Sequence, residues 1–205
     1  MAIALAAREA RSCELCRERA AALSPYSVQG AHAAAGGLSA ALRDAVHRLS
    51  TDPGRVGERW YRDLLAAGHE PESVVELVAV VSIVSLADTL AKGLGAQLRS
   101  VPEPVAGAPT RERPPGLELS CAWVPTVDPE RAEGSVRVHY DFAKAQTGIV
   151  FHVARALSAV PEAANQFFAA FGASYSIAGE TAGALTRPQV ELLAASTSAE
   201  NDCFY

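Results

Sequence analysis

The sequence predicts an all-α protein built from two helical halves. Three observations carry that expectation. Apolar residues recur at helical spacing through both halves, and no run of alternating β-branched residues is long enough to found a sheet. Between the halves, seven of the twelve prolines fall from Pro102 to Pro129, in a stretch that reads as an extended strap. The expected division is therefore 1–96 for an N-terminal helical half with a C-x-x-C pair, 97–135 for the strap, and 136–205 for a C-terminal half.

The elements follow in order. MAIALAAREARSCELC opens with an Ala-rich helix of about eight residues, then a polar break before a cysteine. A short helix is expected from Cys13 to Leu23, with Ser12 as its cap, followed by helices over Gly37 to Leu49 and Arg55 to Ala67. Val74 to Leu94 is the longest apolar stretch and has roughly the twenty residues that cross a bilayer. Glu76, Asp88 and Lys92 lie within it, so burial in a soluble core or between subunits is the better reading. Its ends agree, with Glu70, Glu72 and Glu76 at the positive end and Lys92, Gly93 and Gly95 at the other. Beyond the strap, Val136 to Tyr140 reads as a short extended piece, and helices are expected near Gly148 to Ala159, Pro161 to Tyr175 and Arg187 to Thr197. The last is well started: Thr186 caps it, Gln189 completes a capping box, and Pro188 suits a first turn.

Composition narrows the function. The chain has 205 residues, 49% hydrophobic content and a net charge of -5, enough apolar material for a core and no basic excess for a polyphosphate partner. Nucleic acid and membrane partners are not expected. The N-terminus shows no secretory pattern, and a cytoplasmic location follows as the expectation. Four cysteines are too few for a disulfide scaffold, and two of them form the pair Cys13-Glu14-Leu15-Cys16. A thiol at a helix N-terminus is held toward the thiolate, so this pair points to a disulfide cycle. Packing as small hydrophobes is the alternative. No cofactor or metal is called for: no second C-x-x-C and no H-x3–5-H follows, and His32 and His47 stand isolated.

Other residues read as packing or surface groups. Trp60, Tyr61, Phe167 and Phe168 stand at helical spacing; His139 and His152 are isolated; Cys121 reads as a buried small side chain and Arg155 as one half of a helix-surface ion pair.

The two ends of the chain look like one motif written twice. In the second copy Glu191 lies twelve residues before Cys203. That spacing, with LTRPQVELLAASTSAENDCFY, resembles the E-x11-C-x-x-C-x3-H motif of the alkylhydroperoxidase D-like and carboxymuconolactone decarboxylase superfamily. The segments RLSTDPGRVGERWYRDLLAAGHEPESVVELVAVVSIVSLADTLAKGLG and HVARALSAVPEAANQFFAAF are similar to that family's helices around the motif.

The resemblance implies a helical fold made of two half-repeats joined by the strap, assembled as a homo-oligomer. It implies a thiol peroxidase in which Cys16 attacks a hydroperoxide, Cys13 resolves the product as a disulfide, and a thiol or dithiol reductant restores the pair. In the second copy it makes Glu191 a proton relay and Cys203 the resolving thiol, with the partner cysteine and histidine lying past Tyr205. Ala20 stands where the first copy's relay histidine belongs, and Met1 where its glutamate belongs. Those departures favour the alternative of a non-catalytic structural or small-molecule-binding member. A further expectation is that Glu191 and Cys203 point into a small pocket.

Overall fold

The computed structural model describes residues 1–33, 36–175 and 184–200. Within them the all-α expectation holds. The helices are α1 (Ala2–Ala10), α2 (Glu14–Ala21), α3 (Ala40–Thr51), α4 (Glu58–Ala66), α5 (Pro71–Gly93), α6 (Gly134–Thr147), α7 (His152–Leu157), α8 (Pro161–Ser174) and α9 (Arg187–Glu200). The strand content of these residues is one antiparallel ribbon, β1 (Leu117–Glu118) with β2 (Thr126–Val127), in the register Leu117 opposite Val127.

Helix α5 organises the core because two of its faces are covered. Val74, Leu77 and Val81 enter a cluster with Ala6 and Ala7 of α1, Ala45 and Val46 of α3, and Trp60, Tyr61 and Leu64 of α4. Val75 and Ala79 enter a second cluster with Leu157, Ala159, Ala163 and Ala164, which seats α8 against α5. Spacings of three and four residues generate each face. Leu77 has no exposed surface, and burying such a side chain contributes about 1.5–3 kcal/mol.

The expectation that α5 is buried on most sides holds only for its first half. By length and composition the helix could cross a membrane, yet beyond Val81 its only buried residue is Asp88, and Leu90 is 53% exposed. It ends in a Schellman motif. The N–H of Ala96 donates to Ala91 O and that of Gly95 to Lys92 O, with Gly95 at φ 65°, where a Cβ would be strained.

Small residues let α1 lie close to its neighbours. Ala4, Ala6, Ala7 and Ala10 are all buried, and α1 packs against both α3 and α5. At its end Arg8 donates from Nε and Nη2 to the Asp88 carboxylate, at 3.0 and 2.9 Å. This ion pair spans α1 and α5 just before the C-x-x-C turn.

Three expectations need correction. Val136 to Tyr140 is helical, inside α6, because Val136, Tyr140 and Ala143 at i, i+4 and i+7 are the buried set while Val138 is exposed. Arg55 closes a separate 3₁₀ turn, Pro53–Arg55, and α4 begins at Glu58 after an extended Gly57. Helix α7 begins at His152 because Gly148 is the left-handed cap that ends α6.

The strap also does more than cross the surface. Its first part is exposed, but Val127 is buried in a third cluster with Ala132, Val136, Tyr140 and Ala154. The Tyr140 hydroxyl donates to Val127 O at 2.9 Å, and Val127 N–H donates to Ser158 Oγ at 2.9 Å. The strap's end is thereby fixed beneath the C-terminal helices.

Candidate thiol and histidine site

The C-x-x-C pair sits where α1 turns into α2. The turn is backbone-made: Ser12 N–H donates to Glu9 O and Cys13 N–H to Ala10 O. Cys13 is itself the extended N-cap residue and α2 starts at Glu14, one position later than expected. Ser12 does not cap the helix; its Oγ donates back to Glu9 O. Cys13 therefore stands at the helix mouth, half-buried, while Cys16 in the first turn is buried. Both thiols are free.

Two histidines close over them. His32 comes from the loop between α2 and α3, which three contacts hold in place. Arg19 Nε donates to Val28 O at 3.2 Å, Arg43 Nη1 donates to Ala33 O at 3.2 Å, and Gly30 lies so near Leu15 that a Cβ there would sit 2.8 Å from its side chain. Tyr26 in the same loop lies against two guanidinium groups, Arg59 at 3.9 Å and Arg48 at 4.6 Å. His47 comes from α3, whose N-cap Ser39 accepts from Leu42 N–H. The two rings lie 4.0 Å apart, tilted by 39°.

The geometry around the sulfurs is specific. Cys13 Sγ is 3.3 Å from His32 Nδ1, Cys16 Sγ is 3.9 Å from that same nitrogen, and Cys16 Sγ is 3.3 Å from His47 Nδ1. On the far side, His32 Nε2 lies 3.0 Å from Asp44 Oδ1, and Asp44 also pairs with Arg19. One donor atom from each of Cys13, Cys16, His32 and His47 falls within 4.8 Å of all the others. Among the described residues His47 Nε2 is buried without a hydrogen-bond partner.

The environment separates the two imidazoles. The hydrogen bond to Asp44, helped by the thiols, raises the His32 pKa to about 10. Burial lowers that of His47 to about 4, and the neighbouring His32 charge pushes the same way. For Asp44, burial acts upward, but hydrogen bonds from His32 and Arg19 outweigh it and leave the pKa at about 2. For Cys13, burial again acts upward, and the hydrogen bonds from His32 and the Cys16 backbone outweigh it, so the thiol moves toward the thiolate.

Cys16 also lines a cavity of about 900 Å³ between α2, the end of α3 and α5. Val78 and Val81 supply apolar wall, Ser82 and Ser85 hydroxyls, and Arg11 and Lys92 positive charge. Ala20 lines this cavity too.

Of the residues singled out in the sequence, Cys13 and Cys16 meet in one site. Glu191 does not point inward: its side chain is 47% exposed on α9, where it pairs with Arg187 and accepts from the Tyr175 hydroxyl at 2.9 Å. Helix α9 has no buried residue, so nothing draws that carboxylate into a core. Cys203 lies outside the described residues. Gln189 makes its half of the capping box, its Oε1 accepting from Thr186 N–H at 2.8 Å and also from the Thr186 hydroxyl at 2.9 Å. Arg155 finds Ser120 Oγ at 2.9 Å in the strap rather than a helix-surface partner, and Cys121 is only half-buried.

His32 and His47 were the residues missed. They stand in different elements, sixteen residues after Cys16 and a further fifteen on, outside any local ligand spacing. Asp44, three residues before His47 on α3, is the one local hint that this face is polar by design.

Compared with known proteins, the chain matches no family model, no curated protein and no solved structure.

Proposed function

We propose that this protein is a thiol-dependent, peroxidase-like oxidoreductase that reduces small alkyl hydroperoxides through a Cys13–Cys16 disulfide cycle. One observation carries the proposal. Each thiol of the pair has an imidazole nitrogen at 3.3 Å, one imidazole is backed by a carboxylate at 3.0 Å, and Cys16 opens onto a cavity. His32, oriented by Asp44, lies 3.3 Å from Cys13 and 3.9 Å from Cys16, and an oriented imidazole in reach of both sulfurs is an arrangement that can activate one thiol and donate a proton during attack by the other. The resemblance to the alkylhydroperoxidase D-like superfamily supports the same chemistry, and with it the half-repeat frame and homo-oligomeric assembly; a cytoplasmic location, where thiols stay reduced, suits such a cycle.

The reaction has two steps. The Cys16 thiolate attacks the outer peroxide oxygen; the O–O bond breaks, the alkoxide leaves with a proton from the His32 imidazolium, and Cys16 becomes a sulfenic acid. The Cys13 thiol then attacks the Cys16 sulfur, and water leaves as the disulfide forms. The peroxide gains two electrons, one from each sulfur, and an external thiol or dithiol returns them. Ala20 removes the histidine expected from the family pattern, and His32, delivered by the loop, takes the proton-donor role. His47 orients Cys16.

The test is peptide mass spectrometry after one equivalent of an alkyl hydroperoxide. A Cys13–Cys16 disulfide is expected, with Cys16 trapped as a sulfenic acid in a Cys13→Ser variant. If oxidation instead spreads over Cys121 and the pair alike, the proposal is wrong.

A further inference from the structure

The same four side chains have a second chemistry. We propose that Cys13, Cys16, His32 and His47 form a tetrahedral site for a zinc-class divalent cation, and that the loaded site shields the two thiols from peroxide. The shielding rests on the thiol-redox reading above; the binding does not.

Zinc–sulfur bonds near 2.3 Å and zinc–nitrogen bonds near 2.05 Å set the edges of a tetrahedron at about 3.3–3.8 Å. The structure already places Cys13 Sγ to His32 Nδ1 at 3.3 Å, Cys16 Sγ to His47 Nδ1 at 3.3 Å and Cys16 Sγ to His32 Nδ1 at 3.9 Å. All four donors lie within 4.8 Å of one another, so a contraction of about 1 Å at the widest edge closes the shell. Two thiolates and two imidazoles are the donor set that selects zinc over hard cations such as magnesium or calcium.

The surroundings fit as well. Both histidines face the centre through Nδ1, and the outward Nε2 of His32 meets Asp44 at 3.0 Å. A carboxylate behind a ligating histidine fixes its tautomer and raises its basicity, an arrangement common around zinc. Asp44 is in turn held by Arg19, so this outer contact is itself positioned. The ligands come from the α1–α2 turn, α2, the α2–α3 loop and α3, so a bound ion would join the segment carrying His32 to the helices on either side. With four protein ligands the shell is closed, as in structural rather than catalytic zinc sites, which is why the loaded state offers peroxide no free thiolate.

The experiment uses the reduced full chain. Cobalt titration is expected to reach one ion per chain with the intense visible bands of a tetrahedral thiolate–imidazole complex, and zinc should displace it. Asp44→Asn should weaken affinity by about 10- to 100-fold, as loss of an outer-shell carboxylate does elsewhere. Cys16→Ser and His47→Ala should weaken it further, while His139→Ala leaves it unchanged. Because a ligand variant can fail through misfolding, alkylation of the wild type gives a second readout: zinc should protect Cys13 and Cys16 but not Cys121. Weak octahedral cobalt spectra, or equal protection at Cys13, Cys16 and Cys121, would overturn the site. If zinc binds and the metal-free chain consumes peroxide no faster than free thiol, the site stands and the redox reading falls. If peroxide is consumed equally fast with and without bound zinc, the shielding is refuted.

Discussion

Removing either partner of the Arg8–Asp88 pair should destabilise the fold, but by different amounts. Asp88 is 2% exposed in its side chain and accepts two hydrogen bonds from Arg8; Arg11 approaches no closer than 3.9 Å. The Arg8 side chain is 26% exposed. In Arg8→Ala the surviving charge is therefore the buried one, and an uncompensated buried charge costs about 3–5 kcal/mol. Residual attraction to Arg11 places the expectation at the low end, about 3 kcal/mol. In Asp88→Ala the surviving guanidinium can turn to water, and the loss is of charged hydrogen bonds alone, about 1.5–2 kcal/mol. Urea unfolding, followed by far-UV dichroism and by the buried Trp60, measures both. With a slope of about 2 kcal/mol per molar, the midpoint should fall by about 1.5 M for Arg8→Ala and by less than about 1 M for Asp88→Ala. Equal shifts, or a larger one for Asp88→Ala, would refute the reasoning that burial of the survivor decides the cost. Because α1 runs from this pair into the Cys13 turn, Arg8→Ala should also slow disulfide formation.

Further outcomes follow from single contacts. Leu77→Ala, at a site with no exposed surface between α1, α3 and α4, should cost about 2–5 kcal/mol in the same unfolding assay. Arg55 donates to the carbonyls of Ala22 and Arg19 at 2.7 and 2.8 Å, closing the end of α2, and Arg55→Ala should cost about 1.5–3 kcal/mol. Tyr140→Phe removes the donor to Val127 O and should cost about 1–2 kcal/mol, with faster hydrogen exchange in the strap's β-ribbon. His32→Ala should slow sulfenic acid formation by about 10²-fold in stopped-flow assays, with little change in dichroism.

The helical class was legible because it rests on local spacing. Val74, Leu77 and Val81 announce one face of α5, and Val75 with Ala79 the other. Val136 to Tyr140 misled because the local alternation of Val136 and Val138 outweighed the longer period of Val136, Tyr140 and Ala143, which tertiary packing enforces. At the site, the cysteine pair was legible as a contiguous motif, whereas His32 and His47 were not. Their meeting depends on the α2–α3 loop folding back, under hydrogen bonds from Arg19 and Arg43 that no spacing rule encodes. Glu191 shows the reverse: a spacing that matches a motif can still belong to a solvent-facing helix.

The most direct measurement of the central claim is the second-order rate of alkyl hydroperoxide consumption by the reduced, metal-free chain, with a dithiol present to restore it. The thiol-redox account predicts a rate well above that of the dithiol alone, abolished in Cys16→Ser, lowered in Cys13→Ser because the dithiol must then reduce the Cys16 sulfenic acid directly, and retained in Cys121→Ser. A rate equal to the dithiol background, or one that survives Cys16→Ser, would contradict it.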